Sequence, residues 1–270
     1  MKLLLGECLE EMAKMPDKSV DLLICDLPYV DLNGKGETNC SWNQGNIDME
    51  KFWKEFKRIR KSKRTACIHF CSTKFGYSLI KSWEKGFKMD MVWRKRNKTG
   101  GLASRFRPMR SHEMIYFFYE QAPKYNRDKY HKRVNNVKHA KSETTKEKKS
   151  DKVENEKITI PSKERNNLGE QAGIYPKEKM TFSNFEPPNP DSVFSSEKVF
   201  IGKRNHQTEK PQDILEFLLK YWSDEGDVIL DPTMGSGSTG VACKKMGRKF
   251  IGIELTEKYF NIAKERIENN

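Results

Sequence analysis

The feature that most constrains the fold is a near-continuous apolar stretch, residues 20–25, that stops abruptly at Asp26-Leu27-Pro28-Tyr29. A strand whose successive side chains are apolar must be covered on both faces, which is the habit of a parallel sheet sandwiched between helices. A second such stretch, residues 228–230, runs into Asp231-Pro232-Thr233-Met234-Gly235-Ser236-Gly237. Two buried strands that both end at an aspartate and a turn predict an α/β chain whose chemistry collects at one sheet edge.

The remaining pattern agrees. Strand signals occur at residues 2–5, 65–71, 89–94, 113–119 and 249–253, and helical spacing at residues 8–15, 74–85, 212–222, 238–246 and 257–267. The end of the chain therefore reads as a βαβα unit. A length of 270 residues suits one compact domain with a sizeable insertion. The insertion is placed at residues 121–198, where composition shifts to Lys, Asn, Glu and Ser, most strongly at 138–157. That stretch has too few apolar residues for a core of its own. Its basic side chains alternate with Tyr125, Tyr130, Tyr175 and Phe182, a mixture suited to nucleic acid. The expected division is a catalytic half at 1–120, the insertion at 121–198 and a cofactor half at 199–270.

Charge points the same way. Lys and Arg number 51 against 38 Asp and Glu, a formal charge of +13 that draws a polyanion through phosphate contacts. The six cysteines form no C-x-x-C or paired zinc-ligand pattern, so no metal is expected. Cys67 and Cys71 flank His69 within a strand-like run and read as buried, reduced thiols. No apolar run is long enough to span a bilayer, and the first residues turn acidic too early for a signal peptide. A cytoplasmic location is the expectation.

Gly235-Ser-Gly237-Ser-Thr-Gly240 lies between a predicted strand and a predicted helix, the context in which glycines let backbone approach a ligand. Glu254 ends the next strand, where a carboxylate can accept from two ribose hydroxyls. This pattern alone leaves a dinucleotide and S-adenosylmethionine both open. Asp231 favours the second, because a carboxylate sits poorly beside a pyrophosphate and well beside a sulfonium and an amino group.

The turn at residues 26–29 supplies a reason for a methyl donor. Conjugation with its ring makes the exocyclic amino group of a base a weak nucleophile. Asp26 can accept one N–H hydrogen bond and the Leu27 carbonyl the other, orienting the nitrogen lone pair. Pro28 stiffens the turn, and Tyr29 can stack on an extruded base.

The combination resembles the β-group DNA amino-methyltransferases, in which a D-P-P-Y block precedes the glycine-rich block. The lead-in from Leu5-Gly6-Glu7-Cys8-Leu9 to Leu23, Arg110-Ser111-His112-Glu113, His206 through Pro211, Asp231 through Gly240, and Arg248 through Glu254 with Tyr259 are similar to that family's blocks in its order. The resemblance implies a Rossmann-like class I methyltransferase fold, circularly permuted, with a mixed sheet and helices on both faces. It implies catalysis by Asp26, Leu27, Pro28 and Tyr29. It also implies cofactor contacts from Glu7, Cys8, Asp26, Thr208, Lys210, Asp231, Pro232, Thr233, Gly235, Gly237, Ser238, Thr239, Glu254 and Leu255. Double-stranded DNA is the implied partner, with a second copy of the chain and a companion restriction endonuclease as further candidates. Three positions depart from the family pattern: Leu27 for proline, Thr233 for phenylalanine and Glu7 for aspartate.

The expected reaction is methyl transfer from S-adenosylmethionine to N6 of adenine in DNA. N4 of cytosine is the close alternative. Serine commonly replaces the leading aspartate in the cytosine enzymes, so Asp26 tilts the reading toward adenine. A catalytically silent DNA-binding protein and a nicotinamide dehydrogenase are more distant readings; the second leaves residues 26–29 and the basic insertion without a purpose.

Overall fold

The computed structural model describes residues 1–28, 47–134, 184–196 and 209–270. Contacts divide the chain into two units, one formed by Met1–Arg127 with Pro190–Asn270 and the other by Asp128–Asn189. In the first, strands β1 (Lys2–Leu5), β2 (Leu22–Cys25), β3 (Ala66–Cys71), β4 (Phe87–Thr99) and β5 (Arg110–Phe118) come from the front of the chain. Strands β8 (Val193–Ser195), β9 (Val228–Asp231) and β10 (Lys249–Glu254) come from the back. The second unit contains β6 (Lys132–Val134) paired antiparallel with β7 (Asn184–Glu186), and the His131 imidazole Nδ1 lies 2.7 Å from the Pro187 carbonyl.

The eight-stranded sheet has the order β1-β10-β9-β2-β3-β5-β4-β8. Neighbours are parallel from β1 through β3, β5 runs antiparallel between β3 and β4, and β8 is parallel to β4. The mixed, permuted sheet expected from the resemblance is thus present. From β9 the chain continues to β10 on one side, and from β2 to β3 on the other. The β9–β2 seam is therefore a topological switch point, where connections diverge and leave a crevice beyond the carboxyl ends.

Helices cover both faces. Helices α1 (Cys8–Ala13), α2 (Met49–Ile59) and α3 (Thr73–Ser82) lie on one face. Met12, Phe52, Phe56, Ile59 and Leu79 there share a core with Leu23, Cys67 and Leu230 of the sheet. The other face receives α5 (Gln212–Trp222), whose Trp222 ring lies 4.8 Å from that of Phe117. Helices α6 (Ser238–Lys245) and α7 (Glu257–Asn269) flank β9, β10 and β1. The short α4 (Arg127–Tyr130) follows β5. All four residues of β2 and all six of β3 are buried, as two-sided coverage requires.

Helix α2 and the β4–β5 pair exceed the sequence expectations. Helix α2 was not anticipated, although Phe52, Trp53, Phe56 and Ile59 bury one face at helical spacing. Strand β4 extends to Thr99 and β5 starts at Arg110, so a long hairpin replaces two short strands. Among the described residues no helix is long and apolar enough to cross a membrane.

Candidate active site

The crevice at the β9–β2 seam brings together the two aspartates singled out in the sequence. Leu22 and Leu23 pair with Ile229 and Leu230, so Asp26 and Asp231 leave the same sheet edge from adjacent strands. Leu27, 1% exposed, anchors the turn after β2 in the core, and Pro28 follows partly buried. A leucine can stand in the proline position because its side chain is taken up by packing.

Asp26 does not stand alone. Its carboxylate forms a close ion pair with Lys210, whose Nζ also lies 3.6 Å from Glu113, and Lys95 reaches Glu113 at 3.0 Å. The Lys210 ammonium sits 5.1 Å from the centre of the Phe70 ring. Burial alone would lower the Lys210 pKa, but Asp26 and Glu113 outweigh it and hold the group above its ordinary value. Burial would likewise raise Glu113, and Lys210 with Lys95 holds it below the usual carboxylate range. The result is a carboxylate acceptor, Asp26, held in place by a buried ammonium. Glu113 is the functional neighbour that the residues themselves did not reveal; its only signal was the Arg110-Ser111-His112-Glu113 block.

Asp231 lies in a different electrostatic setting. It is buried, and its oxygens accept from Thr239 Oγ1 at 2.7 Å and the Thr233 amide at 3.1 Å. Desolvation raises its pKa to about 7 against those two hydrogen bonds, with the charges of Asp26 and Glu254 adding to the rise. Thr233 has a second role: its hydroxyl donates to the Asp26 backbone carbonyl at 3.2 Å. The threonine that departs from the family's phenylalanine therefore ties the two strand ends together.

Beyond Asp231, the turn runs through Met234, whose amide donates to the Ile253 carbonyl at 2.9 Å, into Gly235. Gly235 has φ of +53° and open space where a Cβ would stand, as close backbone approach to a ligand requires. Gly237 and Gly240 serve packing instead, because a Cβ there would meet Ala263 and Ile267, or Ile267 and Phe250. Glu254 closes the turn by accepting from the Gly235 amide at 3.0 Å and the Thr256 amide at 2.9 Å.

The other expected residues are distributed around this turn. Pro232 is buried, Leu255 is exposed, and Glu7 caps α1 by accepting from the Leu9 and Glu10 amides, with the Cys8 thiol donating to it at 3.2 Å. Among the described residues, buried Ser238 Oγ and Gln212 Oε1 have no hydrogen-bond partner. Tyr29, Cys40, Tyr175, Phe182, His206, Thr208 and residues 138–157 lie outside the described residues.

Cys25, directly before Asp26, approaches His69 Nδ1 at 3.0 Å, and Cys67 approaches Nε2 at 3.1 Å. These three are the one group among the described residues whose potential ligand atoms all lie within 4.8 Å. The imidazole is walled by the rings of Phe52, Trp53 and Phe118, so the trio forms a polar island in an aromatic core, its ring nitrogens shared between two thiols. The described cysteines are buried and free, as the spacing in the sequence predicted.

Comparison with known proteins places this geometry. A DNA methylase family profile matches residues 20–265. The Type II methyltransferase M.HinfI of Haemophilus influenzae is 25% identical over 98% of this chain and 67% of its own length. Two solved structures share the fold. The PvuII DNA methyltransferase, described as cytosine-N4-specific, has a TM-score of 0.63 at 13% identity, covering 98% of this chain and 85% of its own. The M1.HpyAVI complex with SAM has a TM-score of 0.56 at 20% identity, covering 98% of both chains. The profile spans nearly all of the chain, seam and glycine turn included, so this protein belongs to the N6/N4 DNA methylase family.

Proposed function

We propose that the protein methylates N6 of adenine in double-stranded DNA, using S-adenosylmethionine and a base extruded from the duplex. The observation that carries this reading is the ion pair of Asp26 with Lys210 beside buried Asp231 at one switch point. The donor's requirements fit the residues present. Buried Asp231 receives only neutral donors among the described residues, Gly235 faces open space, and Ser238 Oγ and Gln212 Oε1 are buried polar atoms with unused capacity. Asp231 would meet the cationic amino acid end, and Glu254 the ribose hydroxyls. When bound, S-adenosylmethionine supplies an electrophilic methyl group on a sulfonium.

The chain's part is to present the acceptor. Asp26, held by Lys210, accepts one N–H hydrogen bond from the amino group and the Leu27 carbonyl accepts the other, restraining the nitrogen so that its lone pair is free. Lys210 acts on the carboxylate that touches the base, and Tyr29 stacks on the ring. Residues 121–198 are assigned target recognition, on the strength of their basic and aromatic composition.

The aspartate at position 26 supports adenine over cytosine. Expression in a methylation-free host, followed by mass spectrometry of the hydrolysed DNA, tests this directly. N6-methyldeoxyadenosine is expected; N4-methyldeoxycytidine would move the reading to cytosine, and unmodified DNA would remove it. Leu27→Pro should keep activity within about threefold, since the required contact is a backbone carbonyl.

A further inference from the structure

We propose that the tip of the β4–β5 hairpin is a DNA wedge, in which Phe106, supported by Leu102, enters the base stack to occupy the space left by the extruded base. The inference rests on the base-extrusion reading above and adds the residues that stabilise the opened duplex.

Three observations meet here. Leu102 is 103% exposed and Phe106 90% exposed, an arrangement that costs solvation for no packing gain within the described fold. They sit in a strongly basic setting: from Arg94 to His112 the sequence contains no acidic residue, and Arg94, Lys98, Arg105, Arg107 and Arg110 are all exposed. An apolar tip flanked by arginines fits a partner with a phosphate rim and an apolar, stacked interior, which is a nucleic-acid duplex.

Position is the third. Cys25 pairs with His69 and His69 with Tyr116, which puts Asp26 level with Ile115. Arg110, at the start of β5, therefore lies five residues further along the strand direction, roughly 15 Å beyond the carboxyl edge at 3.3 Å per residue. Glu113, between those points, touches the lysine that holds Asp26. The tip thus overhangs the catalytic edge, where the remainder of a duplex must lie once one base has entered the crevice.

The tip is also preformed. Gly100, at φ +87°, turns the chain into a short 3-10 turn at Gly101–Ala103. The amides of Ala103, Ser104, Phe106 and Arg107 donate to the carbonyls of Gly100, Gly101, Ala103 and Ala103. A wedge held in this way loses little conformational entropy on insertion.

The test compares methyl transfer from radiolabelled S-adenosylmethionine into two duplexes bearing the methylated sequence. One is fully paired; the other has an abasic site opposite the target base, which lowers the cost of extrusion. For the double variant Leu102→Ala, Phe106→Ala, kcat/KM on the paired duplex should fall about 10²-fold, the equivalent of a few kcal/mol of unstacking. On the abasic duplex it should return to within about threefold of wild type. Both side chains are exposed, so folding should be unaffected, with S-adenosylmethionine affinity as the control. Unchanged activity on the paired duplex, or equal loss on both, overturns the wedge. Failure of the extrusion reading itself has a separate signature: wild type would bind the two duplexes with equal affinity.

Discussion

The two aspartates at the seam make an instructive pair. Asp26 and Asp231 end neighbouring parallel strands, yet Asp26 has a buried ammonium against it while Asp231 has a hydroxyl and an amide. A lysine holds the carboxylate in position, which suits the proposed acceptor of hydrogen bonds from a neutral amino group. Neutral donors leave a buried carboxylate costly to ionise, which suits a group whose partner brings its own positive charge. Equivalent positions in the sheet have thus been set to complementary tasks by what surrounds them.

The sharpest way to break this contrast is Asp26→Ala. It should lower kcat by at least about 10²–10³-fold while the S-adenosylmethionine affinity, measured calorimetrically, stays within about threefold. Comparable loss of affinity would mean that the two carboxylates share one task. Next in size, Lys210→Met removes the buried cation from part-buried Asp26 and leaves Glu113 with Lys95 alone, and should cost about 3 kcal/mol in denaturant unfolding. Lys210→Arg should recover part of it.

Asp231→Asn should weaken S-adenosylmethionine roughly tenfold or more, the value of a charged hydrogen bond. It should also change the pH response. Because burial raises the folded pKa of Asp231 to about 7, the group favours the folded state when protonated. Its contribution is complete below the unfolded value near 4 and is lost as pH rises through about 7. The melting temperature of the free protein should therefore decline across that window, less steeply in Asp231→Asn, and ligand binding near pH 6.5 should release a proton. A pH slope unchanged by the substitution would refute the assignment. The smallest effect is expected from Thr233→Val, which removes one neutral hydrogen bond between the strand ends at a cost of about 1 kcal/mol in thermal unfolding.

Much of this site could be read before any coordinates. Strands β2, β3 and β9 were legible because two-sided burial writes itself as near-continuous apolar runs, and both aspartates were legible because each directly ends such a run. What surrounds them was not. The partnership of Lys210 with Asp26 spans 184 residues, and no local pattern encodes a contact made by tertiary folding. The double duty of Thr233 was hidden for the same reason, since its hydroxyl reaches a carbonyl 207 residues away. Helix α2 is another case: Phe52, Trp53, Phe56 and Ile59 keep helical spacing, but the charged residues between them read as a solvated segment until the partners that bury its apolar face are in place. The hairpin tip was invisible because exposure, not sequence, makes Leu102 and Phe106 unusual.

The interleaving of the chain's two ends at the β9–β2 seam also sets a rule of timing. Asp26 is synthesised before the strand that lies against it and before the glycine turn, and the threonine that ties them follows 207 residues later in the chain. The front half alone has Asp26 but neither Asp231 nor the glycine turn. A growing chain, however long it pauses, holds no assembled seam until β9 is made.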